Sequence, residues 1–218
     1  MKRGLFVVFE GVDGSGKETQ MLELARDIRR RSKYNGVLLT HEPWQSEEIK
    51  RRLAADKDAF SDGEAMSRLF VDDRVFHSTA LLTPVLGLGT HVLGDRYSMS
   101  TCAYQWTQGI PVEAIVRMHT DKGPYLLTPD LTILLEVSLD IGMERMKRRG
   151  DPPEKFENRD FQARLIESYQ RLCVMARTTH KDFFGSVALI DGNRPIEEVA
   201  AGVRAAFDPV YQRWKIAA

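Results

Sequence analysis

Residues 11–17 of the chain read Gly-Val-Asp-Gly-Ser-Gly-Lys and lie between a short apolar run at residues 5–10 and a helical segment at residues 17–31. Glycines allow backbone N–H groups to curl around phosphate oxygens, and a helix N-terminus adds a positive partial charge there. A lysine at the end of such a loop reaches the β and γ phosphates of a nucleotide. We therefore predict a phosphate-binding loop for ATP, rather than a glycine-rich turn beside a surface lysine.

The residue after Lys17 departs from the usual form of this loop, in which a serine or threonine hydroxyl holds Mg²⁺. Glu18 takes that position, and Thr19 follows it. A carboxylate can ligate Mg²⁺, but beside a triphosphate it adds repulsion, which the helix dipole and the lysine offset in part. Adenylate kinases resemble this loop in having a non-hydroxyl residue there followed by Thr-Gln. Glu18 is therefore a candidate metal ligand, and catalysis is not excluded.

Short apolar runs rich in β-forming residues alternate with helical segments along the chain. The runs are residues 5–10, 37–40, 91–95, 131–135 and 187–190, and the helical segments are residues 17–31, 64–86, 141–149, 160–177 and 195–207. Strands separated by helix-length segments are typical of parallel βαβ units with helices on both faces of the sheet. We predict a single α/β domain over residues 1–218, with the three-layer P-loop fold and a five-stranded parallel sheet.

Composition excludes several classes of protein. The chain has 218 residues and a formal net charge of zero, whereas a protein that binds nucleic acid through bulk electrostatics carries a basic excess. Cys102 and Cys173 have no CxxC partner, so neither a disulfide framework nor a zinc site is predicted. The apolar N-terminal run is too short for a signal peptide or a membrane span. We therefore predict a cytoplasmic protein with no nucleic-acid or membrane partner.

Further short motifs follow the loop in a fixed order. They are residues 42–43, 70–74, 95–105, 129–131, 155–158 with 161–162, and 190–191 with 195–198. In this order they resemble the thymidylate kinase family over nearly the whole chain. The resemblance implies a P-loop nucleoside-monophosphate kinase that uses ATP and Mg²⁺ to convert dTMP to dTDP, and a homodimer.

Asp95 and Arg96 end a predicted strand whose C-terminal end faces the phosphate loop, where ligands bind in open α/β sheets. By resemblance, Arg96 bridges the acceptor phosphate and the transferring group, and Asp95 positions Mg²⁺ through water. Phosphoryl transfer needs alignment and charge neutralisation more than a base, and a guanidinium presents two donors to phosphate oxygens.

Three alternatives stay open at this stage. A kinase for dUMP or another monophosphate is the first, and a deoxynucleoside kinase is the second. Deoxynucleoside kinases resemble this fold but place glutamate before the arginine, so Asp95 favours a monophosphate acceptor. The third is a nucleotide-binding paralogue without efficient catalysis, which Glu18 would favour.

The resemblance also implies the acceptor side of the site. Phe70 would stack on the acceptor base, Arg74 would bond its carbonyl or its phosphate, and Tyr104 would crowd the sugar 2′ position. Asp13 would lie near the 3′-hydroxyl and Gln162 near the base, and the family often has asparagine where Thr101 stands. The complete predicted acceptor set is Asp13, Glu42, Pro43, Phe70, Arg74, Arg96, Ser100, Thr101, Tyr104, Phe156 and Gln162.

Residues 150–158, rich in proline and charge, are predicted to form a lid, the alternative being an ordinary surface loop. Family members with glycine rather than arginine in the phosphate loop carry their phosphoryl-stabilising cations in the lid. Because Gly14 stands in this loop, the candidates are Lys147, Arg148, Arg149 and Lys155, of which Arg148 and Lys155 are predicted to be catalytic. The predicted ATP-binding set is Gly11, Asp13, Gly14, Ser15, Gly16, Lys17, Glu18, Thr19, Arg149, Asn193 and Arg194, with the last three near adenine.

A second departure lies at residues 41–45, His-Glu-Pro-Trp-Gln. The usual family form has arginine before Glu-Pro and glycines or an arginine after it. We therefore predict that one acceptor-phosphate arginine is missing or is supplied by Lys50 or Arg51. Trp44 is interpreted as a packing residue.

Overall fold

The computed structural model describes residues 2–149 and 155–216. Within them, one five-stranded sheet has the order β2-β3-β1-β4-β5, and every neighbouring pair of strands is parallel. The predicted α/β fold with a parallel sheet is confirmed, and the predicted strands agree with the observed ones to within one residue at each end. The strands are β1 (Phe6–Glu10), β2 (Val37–His41), β3 (His91–Asp95), β4 (Leu131–Glu136) and β5 (Val187–Asp191).

Helices connect the strands. They are α1 (Lys17–Arg31), α2 (Glu47–Ala55), α3 (Gly63–His77), α4 (Thr83–Gly87), α5 (Ser98–Thr107), α6 (Val112–Thr120), α7 (Leu139–Arg149), α8 (Arg159–Arg177), α9 (Lys181–Phe184) and α10 (Ile196–Ile216). A π-helical turn, Ser78–Leu82, joins α3 to α4, so the helix predicted at residues 64–86 consists of three pieces. The last helix was predicted too short, because α10 continues through Pro209 with Val210 and Tyr211 buried.

Apolar side chains cover both faces of the sheet. Val7 and Phe9 of β1 pack with α1 and α10, whereas Phe6 and Val8 pack with Leu82 and other residues on the opposite face. Helices α5 and α8 pack against each other over a third cluster. Because β1 is buried on both faces, it reads as a continuous apolar run rather than an alternating one.

The sheet order places two functional segments side by side. Strands β1 and β3 are neighbours, and Phe9 near the end of β1 pairs with Asp95 at the end of β3. The segments that follow these residues therefore leave the sheet at the same edge, at the switch point where parallel α/β sheets bind ligands.

Candidate active site

The phosphate loop curls around the side chain of Lys17. The Lys17 Nζ donates to the carbonyl oxygens of Gly11 and Val12, each at 3.1 Å. Gly14 adopts a positive φ of 75°, and a Cβ there would lie 2.4 Å from the carbonyl oxygen of Gly142. Gly14 is therefore required both by the left-handed backbone and by the close approach of α7. Burial also lowers the pKa of the Lys17 amine.

Arg96 lies against this loop. Its Nη1 donates to the carbonyl oxygen of Gly11 at 3.2 Å and to Ser100 Oγ at 3.2 Å, and its Nη2 donates to the Asp13 carboxylate. Arg96 has a φ of 71°, an uncommon conformation for a residue with a side chain. This turn directs the guanidinium back over the loop instead of along the strand axis.

The Asp13 carboxylate joins the loop to two helices. Tyr104 Oη of α5 donates to Asp13 Oδ2 at 3.0 Å, and Gln162 Nε2 of α8 donates to the same oxygen at 3.3 Å. Burial raises the pKa of Tyr104, so its hydroxyl stays protonated and can donate. Asp13, Arg96, Tyr104 and Gln162, which were predicted from separate motifs, therefore form one hydrogen-bonded group.

Glu10 at the end of β1 holds the turn that carries Arg96. Its fully buried carboxylate accepts from the backbone N–H groups of Tyr97 at 2.8 Å and Ser100 at 3.1 Å, from Tyr169 Oη at 3.2 Å, and from Ser100 Oγ. Glu10 is not among the predicted site residues, although a charge that ends a wholly apolar run is a signal for a buried, hydrogen-bonded group.

Replacing Glu10 with leucine is expected to lower the free energy of unfolding by about 3 kcal/mol, because two buried N–H groups lose their acceptor. Glutamine is the matched control. Its amide oxygen can accept from both N–H groups and its NH₂ group can donate to the hydroxyl oxygens of Ser100 and Tyr169, so its cost is under about 1 kcal/mol. Urea denaturation measures both variants.

The pKa of Glu10 adds a pH dependence to this comparison. Burial raises the pKa of the Glu10 carboxyl above its usual value of 4.5, so the folded protein binds this proton more tightly than the unfolded chain does. The stabilisation of the folded protein by protonated Glu10 is therefore full below about pH 4.5 and is lost as the pH rises through the raised folded-state pKa. Glu10→Gln should remove this slope, and an unchanged slope or an equal loss of stability in both variants would contradict the assignment.

A cavity of about 130 Å³ opens beside Asp13 and Arg96. Of the predicted acceptor set, Gln162 alone is missing from this lining, and it lies behind Phe156, whose carbonyl oxygen accepts from Gln162 Nε2 at 2.8 Å. The lining residues are Asp13, Glu42, Pro43, Leu53, Phe70, Arg74, Arg96, Ser100, Thr101, Tyr104, Gln105, Phe156 and Glu157.

Arg74 is buried at one wall of this cavity. Its Nε donates to Glu42 Oε2 at 2.7 Å, its Nη2 donates to Thr101 Oγ1 at 3.0 Å, and its Nη1 contacts His119 Nε2. The guanidinium also lies 4.8 Å from the ring centroid of Tyr97. His119 is not among the predicted site residues, and no local pattern in the chain points to it.

Residues 41–45 are held by contacts with α3. The backbone N–H groups of Trp44, Gln45 and Ser46 donate to the Asp73 carboxylate, and the ring of Trp44 stacks on His77 at 5.0 Å between centroids. This contact makes Trp44 a packing residue.

The two basic residues considered as substitutes for the missing arginine lie on the exposed side of α2. Lys50 pairs with Glu47 and Arg51 pairs with Glu48. Neither side chain lines the cavity. In this structure the cavity wall therefore takes its cations from Arg74 and Arg96.

The predicted lid cations fall in different places. Arg148 is exposed and pairs with Glu144, whereas Lys155 is buried and pairs with Asp56, and its Nζ lies 2.9 Å from Ser61 Oγ. Neither side chain contacts the phosphate loop, and Lys147 is exposed. Residues 150–154 of the predicted lid and the side chain of Arg149 lie outside the described part of the chain.

Arg145 of α7, which is not among the predicted cations, contacts the phosphate loop. Its Nη1 donates to the carbonyl oxygens of Gly14 at 3.3 Å and Gly192 at 3.0 Å. Asn193, predicted near adenine, accepts from the Ser138 N–H at 2.8 Å, and Arg194 pairs with Asp191. Arg145 and the predicted Arg149 are four residues apart on one helix face, so helical spacing could have suggested Arg145.

The two candidate metal ligands differ in their surroundings. Asp95 Oδ1 is buried and, among the contacts of the described residues, has no hydrogen-bond partner. Glu18 is exposed in the first turn of α1. Mg²⁺ usually binds through one or two carboxylates together with substrate phosphates and water, so a lone Asp95 beside the loop fits this ion without a cluster of acids. No cluster of three potential metal ligands occurs among residues 2–149 and 155–216.

Replacing Glu18 with threonine is expected to leave kcat within about tenfold of the wild type, because the Glu18 side chain is exposed and Asp95 with the nucleotide phosphates would supply ligands for Mg²⁺. The measurement is initial rate against Mg²⁺ concentration at saturating ATP. A complete loss of turnover would show that Glu18 is a required metal or proton ligand.

Within the described residues, no helix has the length and apolar character needed to cross a bilayer.

Comparison with known proteins bears on this site. The family model described as thymidylate kinase matches residues 9–203. The chain is similar to a probable thymidylate kinase of Pyrococcus horikoshii, with 31% identity across 93% of this chain and 95% of the relative. It is also similar to a thymidylate kinase of Ruegeria pomeroyi, with 36% identity across 92% of each chain, and to one of Rhodopseudomonas palustris, with 34% identity across 94% of this chain and 88% of the relative.

Proposed function

The chain belongs to the thymidylate kinase family, and we infer from that membership that it transfers the γ-phosphoryl group of ATP to dTMP. The bond between the γ-phosphorus and the β–γ bridging oxygen breaks, an oxygen of the dTMP phosphate takes the phosphoryl group, and ADP and dTDP leave. The observation that carries this function is the meeting of phosphate loop and acceptor cavity at Arg96, whose guanidinium contacts the Gly11 carbonyl oxygen and lines the cavity.

We propose that Lys17 and Arg96 neutralise the transferring group from its two sides. Lys17 is the loop cation, and Arg96 stands between the loop and the cavity that would hold the acceptor phosphate. Mg²⁺, with Asp95 as its protein ligand, would add Lewis-acid stabilisation of the phosphate oxygens. Catalysis would then rest on alignment and charge neutralisation, since phosphoryl transfer requires little covalent chemistry from the protein.

Arg74 serves the acceptor base rather than its phosphate in this proposal. Its guanidinium forms a buried ion pair with Glu42, so the charge of the arginine is already balanced. A balanced guanidinium still donates hydrogen bonds to a neutral carbonyl but attracts a phosphate dianion less strongly. Phe70, which lines the same cavity, would stack on the pyrimidine ring.

We propose that Arg145 lies on the donor side, where its contacts with Gly14 and Gly192 place it beside the turn that carries Asn193. Lys155 and Arg148 would reach the phosphoryl group only after breaking their present pairs with Asp56 and Glu144. Lid closure would exclude water, so that the acceptor phosphate rather than water accepts the phosphoryl group.

We also propose a homodimer that acts in the cytoplasm. Phe76, on the outer side of α3, is 53% exposed and large, and an exposed aromatic on a helix is a candidate for contact with a second copy. Sedimentation equilibrium of the purified chain tests the dimer.

ADP release with a panel of nucleoside monophosphates tests the function. Turnover with dTMP well above the ATPase background, and weaker turnover with the other acceptors and with free thymidine, is the expected result. No turnover with dTMP together with turnover of another acceptor would contradict the proposal.

A further inference from the structure

We propose that His119 is a positioning residue for the acceptor base, because its Nε2 holds Nη1 of Arg74 and thereby sets the guanidinium donor that remains for a pyrimidine carbonyl. The proposal rests on the function proposed above and deepens it. His119 lies on α6, 45 residues from Arg74 in the chain, and it does not line the acceptor cavity.

The contacts of His119 settle which of its nitrogens carries the hydrogen. Its Nδ1 lies 2.8 Å from the carbonyl oxygen of Ile115, which can only accept, so Nδ1 must donate. Its Nε2 then has a lone pair, as the contact with Arg74 also requires, because a guanidinium has donors only. The two contacts agree on the same neutral tautomer.

The guanidinium of Arg74 is almost completely occupied by protein partners. Nε donates to Glu42, whose carboxylate also lies within ion-pair distance of Nη2, while one Nη2 hydrogen goes to Thr101 and one Nη1 hydrogen goes to His119. Among the contacts of the described residues, the second Nη1 hydrogen has no partner. This Nη1 donor suits a keto oxygen, as in thymine or uracil, and repels an amino group, as in cytosine.

A neutral acceptor suits this position better than a carboxylate does. Glu42 already balances the charge of Arg74, so a second acid would bury an uncompensated negative charge. Burial and the neighbouring Arg74 lower the pKa of His119 to about 3, so the ring stays neutral and accepting at the pH of an ordinary assay. Below that value the protonated ring would turn a donor toward Arg74.

The matched variants are His119→Gln and His119→Met. The amide oxygen of glutamine can replace the Nε2 acceptor, whereas methionine fills similar space and offers only a weak acceptor. The probes are dTMP and dCMP, and calorimetry measures their affinities. We expect His119→Met to weaken dTMP binding by about tenfold and to narrow the dTMP-to-dCMP preference by a similar factor, since it removes a hydrogen bond to a charged group.

We expect His119→Gln to keep the dTMP affinity and the dTMP-to-dCMP preference within about threefold of the wild type. We expect kcat to change by less than about threefold in either variant. ¹⁵N NMR of the wild type should show a hydrogen on Nδ1 and none on Nε2, as the contacts with Ile115 and Arg74 require. An unchanged dTMP-to-dCMP preference in His119→Met, or a hydrogen on Nε2, would overturn the proposal. Binding of dTMP by the wild type without its phosphorylation would instead contradict the proposed function alone.

Discussion

Replacing Arg96 with lysine is expected to lower kcat for dTMP phosphorylation by about 10³-fold, the lower end of the range for an arginine that stabilises a transferring phosphoryl group. The planar guanidinium presents separate Nη1 and Nη2 donors, which in this structure reach the Gly11 carbonyl oxygen and the Asp13 carboxylate. A lysine ammonium is a single compact charge and cannot bridge two phosphate groups in the same way. Steady-state kinetics with saturating ATP and dTMP measures the change.

The lysine variant keeps both the charge and the backbone of this position. Arg96 has a φ of 71°, and lysine meets the same steric cost there as arginine, so the comparison isolates the shape of the side chain. Arg30→Lys is the control, because Arg30 is exposed on α1 and lies thirteen residues beyond Lys17, roughly 20 Å along the helix. A kcat for Arg96→Lys within about tenfold of the control would contradict the role proposed for the guanidinium.

Replacing Lys17 with methionine is expected to lower kcat by about 10³-fold and, in the absence of nucleotide, to raise the free energy of unfolding. The loss of rate follows because the loop loses the cation that would meet the β and γ phosphates. The gain in stability follows because Lys17 is buried with its Nζ against two carbonyl oxygens, and the neutral thioether is buried at less cost. Stopped-time assays and thermal unfolding measure the two effects.

The pKa of Lys17 gives the sign of the pH dependence. Burial lowers the pKa of the Lys17 amine from its usual value of 10.5, so the folded protein releases this proton more readily than the unfolded chain does. The destabilisation of the folded protein by the buried charge of Lys17 is absent above about pH 10.5. It grows as the pH falls toward the lowered folded-state pKa and is complete below that pKa. Lys17→Met should remove this dependence. Lys33→Met, at an exposed position, is the control, and equal stability of the two variants would contradict the assignment.

The central strands β1, β3 and β4 were predictable because parallel strands buried on both faces are apolar along most of their length. Strand β1 shows this most clearly, since all five of its residues are buried. The end of α10 was not predictable in the same way. A proline normally ends a helix, yet Pro209 lies inside α10, where the burial of Val210 and Tyr211 against the sheet favours continuation.

Helix α2 was not among the helical segments predicted from periodicity, for the opposite reason. Residues 47–55 are rich in charge, and Ile49 is the one residue in this helix that is buried, so little apolar periodicity marks it. No sequence pattern predicts the π-helical turn at Ser78–Leu82 either, because its residues continue the apolar character of the helices on either side.

By itself, the sequence determined that residues 11–17 form a loop between a strand and a helix, because glycine spacing and apolar runs act over a few neighbouring positions. The tertiary structure alone decided which side chains meet. Lys155 pairs with Asp56 across 99 positions, and Arg74 meets His119 across 45. Such pairs depend on how the helices pack around the sheet, and packing follows from the whole set of buried side chains rather than from any local pattern. The loop could therefore be predicted from the sequence, whereas the partners that orient Arg74 and Arg96 could be identified only in the folded chain.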